Sequence, residues 1–389
     1  MKKILSFVLL SLTISFGYAQ KLGGATDLIN KNIPDGVKLV NAYITPFNRA
    51  MMVGMNNSEF VRLRYDDDAM KHFSFSIRTS IIVIPEADKT FDVDKIGLEN
   101  FHAADPNNSI AQTVFGDSTS RILVVSNDSV IVLEDNDSPI GGGGGDDGGS
   151  GGFPFKRLLG LSPVDTVPAI SFNTPPGSGY GIMPLPYLNF NYHLKYAAAS
   201  VSGIPWIKLP NSDVNMSLIS MMWHQDIAMF LPFLRKSPLA VSVTGGLYHF
   251  YAHTQLNLQP DATVTVKVTD EETGPYDNQE IKINYNSVFV SSYASYNISH
   301  FSIYAGIGYN SGTSHIQVLG NYPVYFREDK TGAVVQDKDV IDPMDTEDAY
   351  SRIRYTGGVQ YDLGGFYTQL NYSYGNYGGV GFVVGYRFL

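Results

Sequence analysis

The stretch Gly365–Leu389, GFYTQLNYSYGNYGGVGFVVGYRFL, decides the fold. Phe366, Thr368, Leu370, Tyr372 and Tyr374 fall on one face of an extended chain, and Tyr367, Gln369, Asn371 and Ser373 on the other. After a Gly-Asn-Tyr-Gly-Gly turn, Val380, Phe382, Val384, Tyr386 and Phe388 alternate with Gly381, Val383, Gly385 and Arg387. Alternation at period two, with aromatic residues on the apolar face, marks strands lying half in an apolar medium and half in a polar one. A soluble sandwich would bury that face in a core. Here the aromatic face runs to the last residues, and a secretion signal stands at the other end. Together these predict an all-β, antiparallel transmembrane β-barrel whose last strand pairs with its first.

Met1–Ala19 reads as that signal: Lys2 and Lys3, then an apolar stretch Ile4–Phe16, then the small-x-small pattern Gly17-Tyr18-Ala19, with Gln20 as the expected mature start. No later run reaches the ~18 apolar residues of a membrane helix. The absence of Cys removes both a lipid-anchoring thiol and any disulfide. An exported chain of this kind enters a membrane as strands. Composition agrees: charged residues make up 16% and aromatics 13%, and the mean hydropathy of -0.05 is what alternation of apolar and polar residues produces. The net charge of -10 argues against nucleic acid as a partner.

Residues 20–70 do not alternate. Asp27 caps a short helix through Leu28 and Ile29, Ile33-Pro34-Asp35-Gly36 breaks it, and a second helix runs through Val37, Val40, Tyr43, Ile44 and Phe47, with Pro46 kinking or restarting it. Two placements stand open for this helical segment: a plug in the lumen, or a cap on the periplasmic side. Its apolar face suits an apolar ligand in the same lumen, or a second expected helix, Asp226–Leu234, better than a polar lumen.

Strands follow from residue 71 to 389. His72–Ile84 sets Phe73, Phe75, Ile77, Ile81 and Val83 against Ser74, Ser76, Arg78 and Ser80. Tyr187–Ala199, Asp213–His224, Leu239–Thr254, Tyr285–Ile298, Phe301–Asn310 and Arg352–Leu363 continue the series, with Thr263–Thr269 and Glu280–Tyr285 as an extra pair. If the C-terminus lies in the periplasm, counting back makes Gly364-Gly365, Asn297–His300 and Gln225–Pro238 periplasmic. Val201–Asn211, Gln255–Asn284 and Ser311–Ser351 are then external. Parity demands one further strand between Pro85 and Pro186, for which Val167–Phe172 is the candidate, giving about ten strands and at most ~14. The loop 134–153, centred on GGGGGDDGGSG, is expected to be external, acidic and mobile. Its Glu134, Asp135, Asp137, Asp146 and Asp147 match no calcium-loop spacing, so they are expected to be solvated.

The polar faces supply the candidate lumen lining: Arg78, Asn189, Asn191, His193, Lys195, Ser242, Thr244, Gln369, Asn371 and Ser373. These residues permit a wet pore, although a barrel of about ten strands can also be filled by its own side chains. Arg is expected to be damaging at Leu370 or Val384, on the lipid side, and tolerated at Asn371. His249 and His253 share a face with Tyr251, but ~13 Å of strand separates them, too far for one metal, so an interfacial aromatic girdle is expected there. His224 is expected to cap the turn that follows it. No signature motif places a nucleophile beside a base, and neither enzymatic activity nor a metal or cofactor is expected.

The helical N-terminal segment, SIIVIPEADKTFDV (Ser80–Val93), TVFGD (Thr113–Asp117), GIMPLPYLNF (Gly181–Phe190), WHQDIAMFLPFLRKSPLAVSVTGGL (Trp223–Leu247) and a closing GYRF resemble a family of uncharacterised outer-membrane proteins of Bacteroidota. That family is similar in general plan to FadL-type channels for hydrophobic compounds. Phe388 near the C-terminus is similar to the aromatic end of bacterial outer-membrane proteins, which implies that barrel-assembly machinery engages Val380–Leu389. The implied location is the Gram-negative outer membrane, with lipid as a partner and a small hydrophobic compound as a candidate ligand. The implied function is a passive channel gated by the N-terminal segment. The alternative is a non-conducting structural or interaction barrel that works through its loops or periplasmic face.

Overall fold

The computed structural model describes residues 33–63, 72–126, 129–133, 164–168, 171–208, 214–235, 237–255, 274–322, 325–327, 334–336 and 339–388. The signal stretch, the Asp27 helix, the Gly-rich loop 134–153 and the strand expected at 263–269 lie outside these residues.

Ten antiparallel strands close into a barrel. They are β1 (Phe73–Val83), β2 (Ile182–His193), β3 (Ala197–Lys208), β4 (Val214–Asp226), β5 (Leu239–Gln255), β6 (Glu280–Ile298), β7 (Phe301–Leu319), β8 (Met344–Leu363), β9 (Phe366–Tyr374) and β10 (Gly378–Phe388). Closure is made by β1, which pairs with β10 from Phe73–Phe388 to Val83–Gly378 and with β2 from Phe73–Tyr192 to Val83–Ile182. One rim carries the short connections 194–196, 227–238, 299–300 and 364–365. The other carries 84–181, 256–279 and 320–343, together with the shorter 209–213 and 375–377.

The expected count of ten holds, but two expected strands change. Tyr187–Ala199 is a hairpin rather than one strand: Leu194–Tyr196 turns the chain, and Ala197–Lys208 returns where an external loop was expected. Pro184 and Pro186 disguise the first arm, and Pro205, beside a register shift between Ile204 and Ile207, disguises the second. The Val167–Phe172 candidate is therefore not a wall strand. Val167 pairs with Val130 in a separate two-stranded piece, and Ser171–Asn173 pairs with Leu123–Ser126.

Two strands also run further toward the long-loop rim than alternation suggested, and Glu280–Tyr285, expected as half of a separate pair, is continuous with Tyr285–Ile298 in β6. The stretches Glu280–Asn284, Ser311–Leu319 and Met344–Ser351 carry polar outward residues, among them Lys282, His315, Gln317 and Asp345, and apolar inward ones such as Ile283, Ile316 and Val318. Their pattern is reversed with respect to the lipid-type strands, so a search for apolar outer faces misses them.

Below those extensions the outer surface is apolar. Leu188, Phe190, Val201, Ile219, Met221, Leu247, Val288, Val290, Ile303, Ile307, Ile353, Val359, Leu370 and Phe382 are all exposed. Aromatic pairs mark the short-turn end of this band: Phe73–Tyr192 at 5.1 Å, Phe301–Tyr361 at 4.7 Å and Phe366–Tyr386 at 4.8 Å between centroids. At the other end Trp206 stacks on Tyr251 at 5.6 Å, with His253 beside both, and His249 also faces outward.

The helix α1 (Ile33–Met55) is continuous. Ile33-Pro34-Asp35-Gly36 forms its first turn, as befits Pro there, while the shorter helix expected before it lies outside the described residues. Pro46 lies inside it, and Thr45 Oγ1 donates to the Asn41 carbonyl at 2.6 Å in the preceding turn. The helix expected over Asp226–Leu234 is two 3₁₀ turns, Ile227–Met229 and Pro232–Leu234, the first capped by the Asp226 carboxylate.

Candidate functional site

The N-terminal segment runs from the long-loop rim to the short-turn rim between the inward-facing side chains of the wall. At its start the buried Asp35 carboxylate accepts from the backbone amides of Glu99 and Asn100, and Lys38 donates to the Gly97 carbonyl. The Tyr43 carbonyl accepts from Val114, and its hydroxyl donates to the Pro176 carbonyl. The apolar face of α1, with Leu39, Val40, Tyr43, Ile44 and Met51, is thus buried in one core with the long connection 84–181 and the inward Phe250, Ile283, Tyr285, Ile316 and Tyr350. It does not meet the 227–234 turns. Gly54 brings the helix close to the wall, since a Cβ there would lie 3.3 Å from both Ile82 and Leu185.

Beyond Met55 the chain turns through Asn56–Ser58 and runs on without regular structure to Leu63; Asn56 to Glu59 are polar, and so is the wall they meet. Asn56 donates to Ser287 at 3.0 Å. Asn57 accepts from the Tyr187 hydroxyl at 2.7 Å and from Ser373 at 2.9 Å. Ser58 accepts Arg78 on its carbonyl at 2.6 Å and Asn371 on its hydroxyl at 3.0 Å. Glu59 Oε2 accepts from Arg354 Nη2 at 2.5 Å, Ser291 at 3.2 Å and Tyr293 at 3.3 Å. The Phe60 ring stacks on Tyr304 at 3.8 Å and 10°, with Tyr293 edge-on at 5.7 Å. At the short-turn rim Arg62 pairs with Asp362 at 2.7 Å, Arg387 holds the other oxygen of Asp362 at 2.6 Å, and Val61 and Leu63 cluster with Ala198.

The wall opposite the Glu59–Arg354 pair is a hydrogen-bonded network of small side chains. His193 contacts Ser74 at 3.0 Å, and Asn191 bridges Ser74 to Ser200. Ser200 also meets His224 at 2.8 Å, and His224 meets Thr244 at 2.9 Å. Asn189 joins Ser76 to Ser202. His224 therefore faces inward, and the cap expected of it is supplied by Asp226. Its second ring nitrogen meets a hydroxyl where a catalytic imidazole would meet a carboxylate, so the network reads as wall structure.

Of the candidate lining residues, Arg78, Asn189, Asn191, His193, Ser242, Thr244, Gln369, Asn371 and Ser373 are buried on inward faces. Lys195 is not among them: it sits exposed in the 194–196 turn, 5.7 Å from the Tyr196 ring. Asn371, where Arg is expected to be tolerated, is 3% exposed and donates to Ser58 Oγ, which counts against that expectation. Sequence reasoning missed Glu59, Arg354, Asp362 and Arg387. Arg354 and Arg387 occupy polar-face positions of regular strands, so the alternation that found Arg78 also reaches them. Glu59 has no such signal. Among the described residues no group of three or more His, Asp or Glu is placed to hold a metal.

Fold and site define an antiparallel ten-stranded β-barrel whose lumen is occupied from rim to rim by its own N-terminal segment. The chain belongs to the Family of unknown function (DUF6588), whose model matches residues 1–388. No curated protein matches it. Among solved structures it is similar to the translocator domain of the autotransporter NalP from Neisseria meningitidis, with 10% identity, coverage of 89% of this chain and 96% of that one, and a TM-score of 0.25. It is also similar to the outer membrane protease OmpT from Escherichia coli (7%, 84% and 99%, 0.27) and to the P. putida toluene transporter TodX (10%, 83% and 91%, 0.17). A translocator, a protease and a transporter at this distance carry no argument about what this chain does.

Proposed function

We propose that this chain is an outer-membrane barrel and a passive channel for small solutes, closed in the described conformation by residues 33–63. The membrane part of this reading rests on the apolar outer band between two aromatic belts. Such a surface far exceeds the few hundred Å² that a soluble monomer leaves exposed. A strand of eleven residues, such as β10, tilted at about 45°, spans a height of ~25 Å, the height of the apolar band on a transmembrane barrel. The aromatic closing strand β10 is the segment offered to the assembly machinery.

The channel part rests on one observation: between the inward side chains of the wall, the lumen is closed by residues 33–63, a segment that pairs with no barrel strand and can leave without breaking the ladder. Asn56–Glu59 and Arg62 meet the wall through hydrogen bonds and ion pairs that water can replace when the segment withdraws, while Phe60 gives up its stack on Tyr304 and Val61 its contact with Ala198. The wall ladder is complete without it. The upper half is apolar and shared with α1, which suits a hydrophobic solute, in keeping with the resemblance in plan to FadL-type channels. Deleting residues 20–63 from the mature chain should leave a barrel that migrates as a folded species and conducts in planar bilayers. Near-zero conductance in both forms would instead favour the non-conducting, loop-presenting barrel.

A further inference from the structure

Glu59 and Phe60 fill two adjacent subsites that the wall builds for a carboxylate and an aromatic ring. The carboxylate subsite consists of Arg354, Ser291 and Tyr293, and all three donate to the same oxygen, Glu59 Oε2. The other oxygen, Oε1, is buried without a hydrogen-bond partner, as are Nε and Nη1 of Arg354. A tethered side chain thus uses only one corner of a fully buried guanidinium, whose fork is shaped to take a carboxylate through two parallel bonds. The ring subsite is the slot between Tyr304 and Tyr293, whose own centroids are 6.1 Å apart. Tyr293 belongs to both subsites, its hydroxyl on the carboxylate and its ring edge on Phe60, so the two lie side by side.

One strand register connects them to the long-loop rim. Asp348, Tyr350, Arg352 and Arg354 share the inward register of β8. Asp348 and Arg352 are exposed, and the buried Tyr350 stands between them with its ring against Arg352. Arg354 is the next inward position and is buried beneath Glu59.

We infer that Glu59–Phe60 is a built-in surrogate for an aryl carboxylate, and that the solute class of this lumen is small aromatic acids of the 3-phenylpropionate kind, which displace the segment by competing for Arg354 and the tyrosine slot. This deepens the gated-channel reading and rests on it only for the opening step. A free acid engages Arg354 through both oxygens, whereas Glu59 engages it through one. Occupancy by the acid therefore favours withdrawal of residues 56–62.

The test is calorimetric titration of the folded full chain with 3-phenylpropionate, with 3-phenylpropanol and acetate as probes lacking the charge or the ring. Glu59→Gln, which removes the competing charge, should bind 3-phenylpropionate roughly tenfold or more tighter than the wild type. Phe60→Ala should also bind it tighter, and keeps the test open if Glu59→Gln fails to fold. The Glu59→Gln/Arg354→Gln double variant, which leaves no buried charge at the site, should not bind it. Equal affinity for the alcohol, or affinity unchanged by Glu59→Gln and Phe60→Ala, overturns the surrogate. Conductance separates the two ideas: binding without any rise in current keeps the site and refutes the gate, whereas a truncated chain that conducts but binds no aryl carboxylate keeps the gate and refutes the site.

Discussion

Leu370→Arg tests the lipid-facing assignment in depth. Leu370 lies within β9, is 52% exposed, and is paired with Val359 on one side and Phe382 on the other, both apolar and exposed. An arginine there faces acyl chains with no polar neighbour in either adjoining strand. The cost at mid-membrane is about 2–4 kcal/mol, decreasing toward the interfaces. Ala349→Arg is the matched control. It also faces outward, but on the polar extension of β8, opposite Thr313 and two residues from Glu347, so its cost should be near zero. Reversible urea unfolding in phospholipid vesicles reads both values. A cost at Leu370 no larger than that at Ala349 would refute the claim that the lower barrel is sheathed in lipid.

Other consequences follow from the same contacts. Removing Asp362 with Asp362→Ala leaves Arg62 and Arg387 without their shared carboxylate, where both partners are about nine-tenths buried, and should cost about 3–5 kcal/mol in unfolding experiments. Gly306→Ala places a Cβ 2.3 Å from the Tyr293 ring, so overpacking should cost about 1–3 kcal/mol in the same assay and shift that tyrosine. In the 84–181 connection, the Asp117 carboxyl is held below its ordinary value by hydrogen bonds from the Thr119 hydroxyl and the Thr119 and Ser120 amides. A depressed pKa stabilises above the unfolded value of about 3.9 and is lost as pH falls through the lower folded value. Protection of the Thr119 and Ser120 amides from exchange should therefore be flat down to pH ~5 and disappear only below about pH 4.

Much of the barrel was legible because a strand with an apolar side and a polar side writes both into alternate residues. Gly365–Leu389 named both faces correctly from alternation alone, and His72–Ile84 did the same for β1. The hairpin at Leu194–Tyr196 was not legible, because Ala197–Ala199 carries no contrast between faces and the prolines of both arms imitate loop. The extensions Ser311–Leu319 and Met344–Ser351 were hidden for a related reason: there the apolar side is the inner one. The site was half visible. Arg78, Asn371 and Ser373 were found as polar-face residues, but their partners Asn57 and Ser58 lie in a segment with no periodicity of its own. Glu59 becomes informative only when the closure of ten strands sets it against Arg354, which is 295 residues away in sequence.

The central claim, that residues 33–63 close the lumen and must move for solute to pass, has a direct test in the otherwise cysteine-free chain. A Cβ built on Gly381 would overlap Ser58 Oγ and the Asn371 amide, so Ser58→Cys with Gly381→Cys sets two thiols against each other across the segment–wall contact, to be cross-linked as Asn371 shifts aside. Planar-bilayer current through the double variant should be absent when it is oxidised and should appear on addition of reductant. Current that flows with the disulfide intact, or a lumen that stays silent after reduction, would contradict the account.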